Sequence, residues 1–375
     1  MLIKTITLIA APLLAAILVF VFIAGSEAAI TAGACVTCHT MHNSQSGVAV
    51  NTANAGASQE FLLVNSGTGT VTACWGCHAQ STAVNIYSSI PQISHNATDL
   101  AGGNFAYITG GKTLNTGATV SNAGHNVSDT GIAEGTLTVI PGDENSVTEI
   151  VVPGAAGTTR LTCSGTTGCH GNRATSGAVL SMRGAHHTAD TVLKFGPGFT
   201  TTTTQGTTVG LSYRFLLGVK GAEDTDWQAT TAATNHNEYW GAIATGTEST
   251  KNTNPSGTIS GLCAECHGTF HGPDAGQLDS PSPWLRHPTD IVLPNSGEYT
   301  GYTSYSFTAP IARQSIAAGS TAALGTVAPG TDTLMCLSCH LAHASPNFKM
   351  TRWDYKNATL GTAISGCNVC HRGKN

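Results

Sequence analysis

The sequence Cys-x-x-Cys-His occurs five times in this chain of 375 residues, and no other feature constrains the fold as strongly. Each copy places two thiols about one helical turn apart, with an imidazole directly after the second thiol. Two thiols at this spacing can bond to the two vinyl groups of one haem, and the imidazole can bind its iron. Disulfides would not require the histidine, and zinc would need the half-sites to combine in fours. The repeat therefore predicts covalent haem c.

Two of the twelve cysteines lie outside these copies, in Cys163-Ser-Gly-Thr-Thr-Gly-Cys169-His170. Five residues separate the thiols instead of two, so this loop must bulge for both to reach one porphyrin. We interpret it as a sixth, expanded haem site. A small disulfide loop in an oxidising compartment is the alternative. In chain order, the sites are I (Cys35, Cys38, His39), II (Cys74, Cys77, His78), III (Cys163, Cys169, His170), IV (Cys263, Cys266, His267), V (Cys336, Cys339, His340) and VI (Cys367, Cys370, His371).

The N-terminus resembles an export signal. Lys4 precedes an apolar run over residues 6–24, and small residues at Ser26 and Ala28 suit a signal peptidase. We expect a signal peptide over 1–28 and a secreted mature chain over 29–375. The apolar run is also just long enough to span a membrane, so a retained anchor is the alternative.

The composition provides few helix formers and a modest apolar core. Charged residues make up 10% of the chain and 44 residues are glycine. We therefore expect a single multihaem c-type cytochrome domain with the haems as its core. It should be mostly irregular coil, with short helices at the haem motifs and a few short β-hairpins, one of them spanning 136–152. The net charge of −5 argues against nucleic acid as a partner.

The histidines are numerous enough for every iron to have two imidazole ligands. Six of the fifteen belong to the haem sites and nine remain, whereas methionine, the other common sixth ligand, is scarce. His42 and His343 follow a motif histidine by three residues and start on its side of the haem, so each should reach a neighbouring iron. The predicted distal ligands are His42, His95, His125, His186, His187, His287 and His343. For His236 and His271, a hydrogen-bonding or surface role competes evenly with ligation.

Around several of these motifs and histidines, the chain resembles the hexahaem extracellular cytochromes of metal-reducing bacteria that polymerise into conductive filaments, the OmcS type. The resemblance is carried, in the same order along the chain, by residues 35–44, 124–127, 285–288, 336–345 with 350–352, and 367–371. It implies bis-His haems in a continuous stack, little secondary structure and a distal ligand donated between subunits. Site III and residues 213–217 and 236–240 depart from the family pattern, which leaves membership of a sister family open.

Together these features predict an electron-transfer protein and not an enzyme. The expected partners are outer-membrane or periplasmic cytochromes, an external electron acceptor, and further copies of the chain. A monomeric periplasmic or outer-surface shuttle is the first alternative. A multihaem reductase is the second, and it would need an iron with an open position; the surplus of histidines and the lack of a Cys-x-x-Cys-Lys motif count against it.

His42 is the predicted subunit link. It lies close to the expected mature N-terminus, on a short tether that cannot reach the vacant side of its own iron. A bond to a haem of the next copy would be head to tail and would propagate into a filament. The alternative is ligation of another haem within the same chain.

We expect six covalent haems per chain, all low-spin. A pyridine haemochrome assay combined with intact mass should give six for the wild type and five for the double variant Cys163→Ala with Cys169→Ala. Five haems in the wild type would instead identify the expanded loop as a disulfide.

Overall fold

The computed structural model describes residues 39–40, 44–45, 48–49, 63–64, 73–132, 161–182, 206–224, 226–243, 257–267, 287–316 and 323–373. The expected signal peptide, the predicted hairpin over 136–152, and the predicted site residues Cys35, Cys38, His42, His186 and His187 lie outside these ranges, as does His271. No helix among the described residues is long and apolar enough to cross a membrane.

Within the described residues the chain is mostly coil with short elements, as the composition predicts. Six short α-helices are present: α1 (Ala73–His78), α2 (Ala106–Thr109), α3 (Ala178–Ser181), α4 (Ile259–Ala264), α5 (Leu360–Ala363) and α6 (Cys367–Cys370). The 3-10 turns are Ser128–Thr130, Val209–Leu211, Tyr213–Phe215, Gly297–Gly301, Cys336–Ser338 and Phe348–Met350. Such short helices are marginal alone and depend on tertiary packing.

The strands are two or three residues long. They are β1 (His39–Thr40), β2 (Ser44–Gln45), β3 (Val48–Ala49), β4 (Leu63–Val64), β5 (Ile86–Tyr87), β6 (Ile90–Pro91), β7 (Thr162–Ser164), β8 (Gly168–His170), β9 (Gly221–Ala222), β10 (Glu238–Trp240) and β11 (Ala312–Arg313). Strands β2 with β3 and β5 with β6 form short antiparallel hairpins, and β1 pairs antiparallel with β4. The largest described sheet has the order β11-β10-β9, with β10 parallel to β11 and antiparallel to β9.

The haem motifs differ in local structure. Helices α1 and α6 and the 3-10 turn Cys336–Ser338 begin at sites II, VI and V, as predicted. Helix α4 instead ends at site IV, one residue after Cys263. Site III contains no helix: Cys163 lies in β7 and Cys169 in β8. The prediction of a helix at every motif is therefore wrong for site III, because its longer loop closes through strand pairing.

The apolar core is divided into small clusters. One cluster joins residues 213–217 to residues 236–240, the two segments that depart from the family pattern. The rings of Tyr213 and Tyr239 pack edge to face with centres 5.6 Å apart, and Ile259 and Met335 belong to the same cluster. A second cluster surrounds Tyr302 beneath site VI. Small separate clusters are what a chain with few apolar helix formers can build on its own.

A buried arginine connects β11 to its surroundings. Arg313 donates through Nε to Glu238 Oε2 at 2.6 Å and through Nη1 to Asp332 Oδ2 at 3.0 Å. Its Nη2 reaches the carbonyl oxygens of Leu324 and Thr326 at 2.8 and 2.7 Å. Arg313 is 4% exposed, so its charge is compensated by these partners inside the protein and not by solvent.

We expect Arg313→Met to lower the free energy of unfolding by about 3–5 kcal/mol, because Glu238 and Asp332 would be left buried without their cation. Arg173→Met is the matched control. It removes an arginine that pairs with the exposed Glu265 and should cost about 0–1 kcal/mol. Denaturant unfolding of the haem-loaded protein measures both, and equal losses would contradict the assignment.

Candidate haem-binding sites

A shared backbone bond positions the histidine at three of the sites. The N–H of His267, His340 and His371 donates to the carbonyl of the first cysteine of its motif at 2.9, 3.1 and 2.9 Å. This bond closes one turn of chain around the two cysteines, so that both thiols lie on one face. The predicted spacing of thiols and imidazole is thus present at sites IV, V and VI.

Site III reaches a similar arrangement by another route. Strands β7 and β8 are parallel, with Thr162 opposite Gly168 and Ser164 opposite His170. Cys163 and Cys169 are the intervening residues, so they lie side by side on the other face of the strand pair. They are not joined by a disulfide.

The loop of site III depends on a close approach at Gly168. A Cβ at this residue would lie 2.5 Å from the backbone nitrogen of Ser164, so no other residue fits without moving the strand. The five residues between the thiols are accommodated by this contact. The bulge that the sequence requires is therefore a tight parallel strand pair.

Three motif histidines each face a second imidazole at a nearly constant distance. The ring centres are 6.2 Å apart for His267 and His125, 6.3 Å for His170 and His343, and 6.1 Å for His371 and His287. A metal–imidazole bond is about 2.0 Å long and the ring centre lies about 1.1 Å behind the nitrogen, so two imidazoles across one metal have centres about 6.2 Å apart. The three pairs fit a bis-His iron.

Contact between two distant segments places two of these distal histidines side by side. Gly124 forms a bridge with Ala344, and the N–H of His125 donates to the carbonyl of His343 at 3.0 Å. A Cβ on Gly124 would lie 2.7 Å from the Cβ of Ala344, so glycine permits this approach. From this shared position, His125 faces site IV and His343 faces site III. The histidine after the site V motif thus lies opposite His170, away from its own motif.

Hydrogen bonds at Nδ1 orient six of the candidate ligands. The acceptor is a backbone carbonyl for five candidate ligands: Pro91 for His78 (2.8 Å), Ala342 for His125 (2.7 Å), Arg214 for His170 (2.9 Å), Pro288 for His287 (3.0 Å) and Lys349 for His340 (2.9 Å). For His371 it is the carboxylate of Glu298, at 2.6 Å. A proton held on Nδ1 leaves the lone pair of Nε2 for a metal, which is the usual arrangement around metal-bound histidine.

Burial keeps several of these imidazoles neutral. It lowers the pKa of His170 to about 4 and that of His343 to about 3, and for His343 the neighbouring His170 adds to the effect. Burial also lowers the pKa of His125. Only the neutral ring can bind iron, so these environments favour the ligand form at neutral pH.

His236 is in a different environment. Its ring stacks on Tyr305 with centres 3.4 Å apart and planes 3° apart, and the residue is 1% exposed. Nδ1 lies 2.8 Å from the carbonyl oxygen of Asn237 and Nε2 lies 3.1 Å from that of Leu324. Both ring nitrogens face a carbonyl oxygen at close range, which leaves no room for an iron at either and assigns His236 to the core.

His95 combines complete burial with free ring nitrogens. It is 0% exposed, and neither nitrogen has a hydrogen-bond partner of normal geometry. Burial is the main cause that lowers its pKa. Burying an imidazole without hydrogen bonds costs free energy unless a metal binds one of its nitrogens. This environment suits a ligand, and the ligand role of His95 stays a prediction.

Consecutive sites adjoin one another along the chain. The thiol of Cys163 in site III hydrogen-bonds with that of Cys74 in site II, and Cys263 in site IV with Cys336 in site V; these bonds, with burial, raise the pKa of Cys163 and Cys263. Two further links bring Cys169 of site III near Cys266 of site IV, and Cys339 of site V near Cys370 of site VI. The cysteines of sites II to VI thus form an unbroken series.

The residues that hold Nδ1 are the part of the site that sequence reasoning missed. Most of them act through a backbone carbonyl, which any residue possesses, so no signal in the sequence could have revealed them. Glu298 acts through its side chain, but it lies far from any cysteine motif in sequence and stands alone between Gly297 and Tyr299.

No protein-family model matches the chain. A curated relative does: over 387 residues the chain is 27% identical to C-type cytochrome OmcS of Geobacter sulfurreducens (strain ATCC 51573 / DSM 12127 / PCA), with 88% of this chain and 81% of OmcS covered. The predicted resemblance to the OmcS type, or to a sister family of it, is confirmed.

Two solved structures are also similar to the chain. One is the cryo-electron microscopy structure of OmcS nanowires from Geobacter sulfurreducens, with 20% identity, coverage of 93% of this chain and 100% of that chain, and a TM-score of 0.46. The other is an Outer Membrane Cytochrome S filament from Geobacter sulfurreducens, with 21% identity, coverage of 92% and 99%, and a TM-score of 0.43.

We expect His343→Ala to convert one haem from low-spin to high-spin, because it removes the imidazole opposite His170. His236→Ala is the control, since it removes a buried imidazole that has no place across an iron. Its spectrum should remain wholly low-spin while its stability falls. Electron paramagnetic resonance of the oxidised proteins measures both, and a high-spin signal in His236→Ala would contradict the assignment.

Proposed function

We propose that the chain is a hexahaem c-type cytochrome that transfers electrons outside the cell through a series of bis-His haems, assembled head to tail into a filament. In each site the two cysteines hold haem c covalently and the following histidine binds the iron. Bound haem supplies the redox chemistry, a one-electron exchange between ferric and ferrous iron. The chain itself holds the ligands in place and sets the distances between sites.

The observation that carries this proposal is the imidazole spacing of 6.1–6.3 Å at three sites. An iron with imidazoles on both sides has no position for a substrate, which favours electron transfer over a reductase. The adjoining cysteines of sites II to VI add the second requirement of a conductor. Tunnelling falls steeply with distance, and a series of neighbouring sites contains no long step.

The wider setting follows from the resemblance. The relative's name is that of a c-type cytochrome, and the two similar structures are described as nanowires and as an outer-membrane cytochrome filament. By analogy we place this chain at the cell exterior after removal of residues 1–28. Its partners would be further copies of itself, outer-membrane or periplasmic cytochromes, and an external electron acceptor.

Site V has a feature that suits a ligand from another subunit. His340 is exposed, and its Nδ1 is held by the carbonyl of Lys349 at 2.9 Å, so its Nε2 side is available for an iron. Within the described ranges, no second imidazole lies across from it. We propose that His42 of the next copy completes this site, which would make the bond the link of the filament.

The test is His42→Ala in the secreted, haem-loaded protein. We expect six attached haems, one of them newly high-spin, and no filaments in electron micrographs. His287→Ala is the matched control: it also removes one distal imidazole, so one haem becomes high-spin, but filaments should persist because its partner His371 belongs to the same chain.

Three outcomes would contradict the proposal. Filaments of normal length and yield in His42→Ala would show that the subunit contact does not depend on this bond. A wild-type protein that is monomeric would favour the shuttle, and a wild-type protein with a ferric high-spin signal would favour the reductase.

A further inference from the structure

Site VI differs from sites II, III and V in the group that holds its motif histidine. His371 Nδ1 lies 2.6 Å from Glu298 Oε1, a carboxylate oxygen, whereas His78, His170 and His340 face backbone carbonyls. A hydrogen bond to a charged acceptor is about twice as strong as one to a neutral acceptor. The environment of His371 is therefore more electron-donating than that of these other three histidines.

The local fold holds this carboxylate in place. Glu298 lies in the 3-10 turn Gly297–Gly301, which packs against helix α6. The adjacent Tyr299 meets the ring of His371 edge to face, with centres 5.1 Å apart. The carboxylate side chain is 15% exposed, so solvent screens its charge only in part.

We propose that Glu298 is a positioning residue that lowers the reduction potential of the haem at site VI. This inference rests on the proposed function, because it requires haem on Cys367 and Cys370. Two effects act in the same direction. The carboxylate draws the Nδ1 proton toward itself, which makes the imidazole a stronger donor to iron and favours the ferric state. Its negative charge also stabilises the more positive ferric centre.

The consequence for electron flow is a step in potential at one end of the series. An electron on site VI is held less firmly than it would be with a neutral acceptor in place of Glu298. Transfer from site VI to the adjoining site V is favoured by this difference. Site V offers the contrast within the same protein, because its histidine faces the Lys349 carbonyl.

The experiment compares Glu298→Gln with the wild type in the haem-loaded protein. Glutamine keeps an acceptor oxygen and removes the charge, so the hydrogen bond persists and only its strength changes. In a potentiometric titration followed by optical and electron paramagnetic resonance spectra, we expect one haem to move to a less negative potential. The largest g value of one low-spin ferric species should rise, as expected for a weaker donor.

Two further variants isolate the cause. Glu298→Asp retains a carboxylate and should stay closer to the wild-type potential than Glu298→Gln does. If Glu298→Gln loses haem, Glu298→Asp is used in its place. Glu265→Gln removes another carboxylate, one that lies within the site IV motif and pairs with Arg173. It should leave the g values unchanged.

The outcomes separate the two proposals. Intact mass is measured first, and a wild-type chain without haem on Cys367 and Cys370 overturns the proposed function at site VI together with this inference. If six haems are present and Glu298→Gln shifts no potential, or shifts one no more than Glu265→Gln does, only the role of Glu298 is overturned.

Discussion

The hydrogen bond from imidazole Nδ1 to a backbone carbonyl is the interaction on which the rest of this structure depends. It fixes the tautomer and the rotation of the ring, and thereby the direction in which Nε2 points. A ring held in this way can face a second imidazole across a gap that suits one iron, as His170 faces His343 at 6.3 Å between ring centres. Because the acceptors belong to the main chain, irregular coil can supply them as well as helix or strand.

This dependence explains why so little regular secondary structure suffices. Coil usually leaves backbone groups without partners, but here several carbonyls in turns accept from imidazoles or from the buried Arg313. The separate apolar clusters then have only to place turns relative to one another. Core residues such as His236, whose ring nitrogens both face carbonyl oxygens, have a similar role away from the haem sites.

The sequence predicted the composition of the sites better than their assembly. The Cys-x-x-Cys-His spacing is local, so the position of thiols and imidazole at sites IV to VI follows from one turn of chain. Which imidazole faces which motif depends on contacts between distant segments, such as Gly124 with Ala344, and no local pattern encodes these. The strand pair of site III was missed for a related reason: the five residues between its thiols favour no helix, and the close approach at Gly168 depends on tertiary contacts.

The pairing of His343 with His170 has a consequence for the order in which the protein matures. If the chain is exported from its N-terminus, as the proposed function requires, the cysteines of site III emerge well before residue 343. A haem attached there would bind His170 and wait for about 170 further residues to cross before its second imidazole arrived. Site IV does not wait, because His125 precedes it in the chain. Closing the long loop of site III orders a large part of the polypeptide at once, at an entropic cost that grows only slowly with loop length. In the proposed function, the second imidazole of site III would therefore arrive late and from a distant segment, and a chain truncated before residue 343 would lack it.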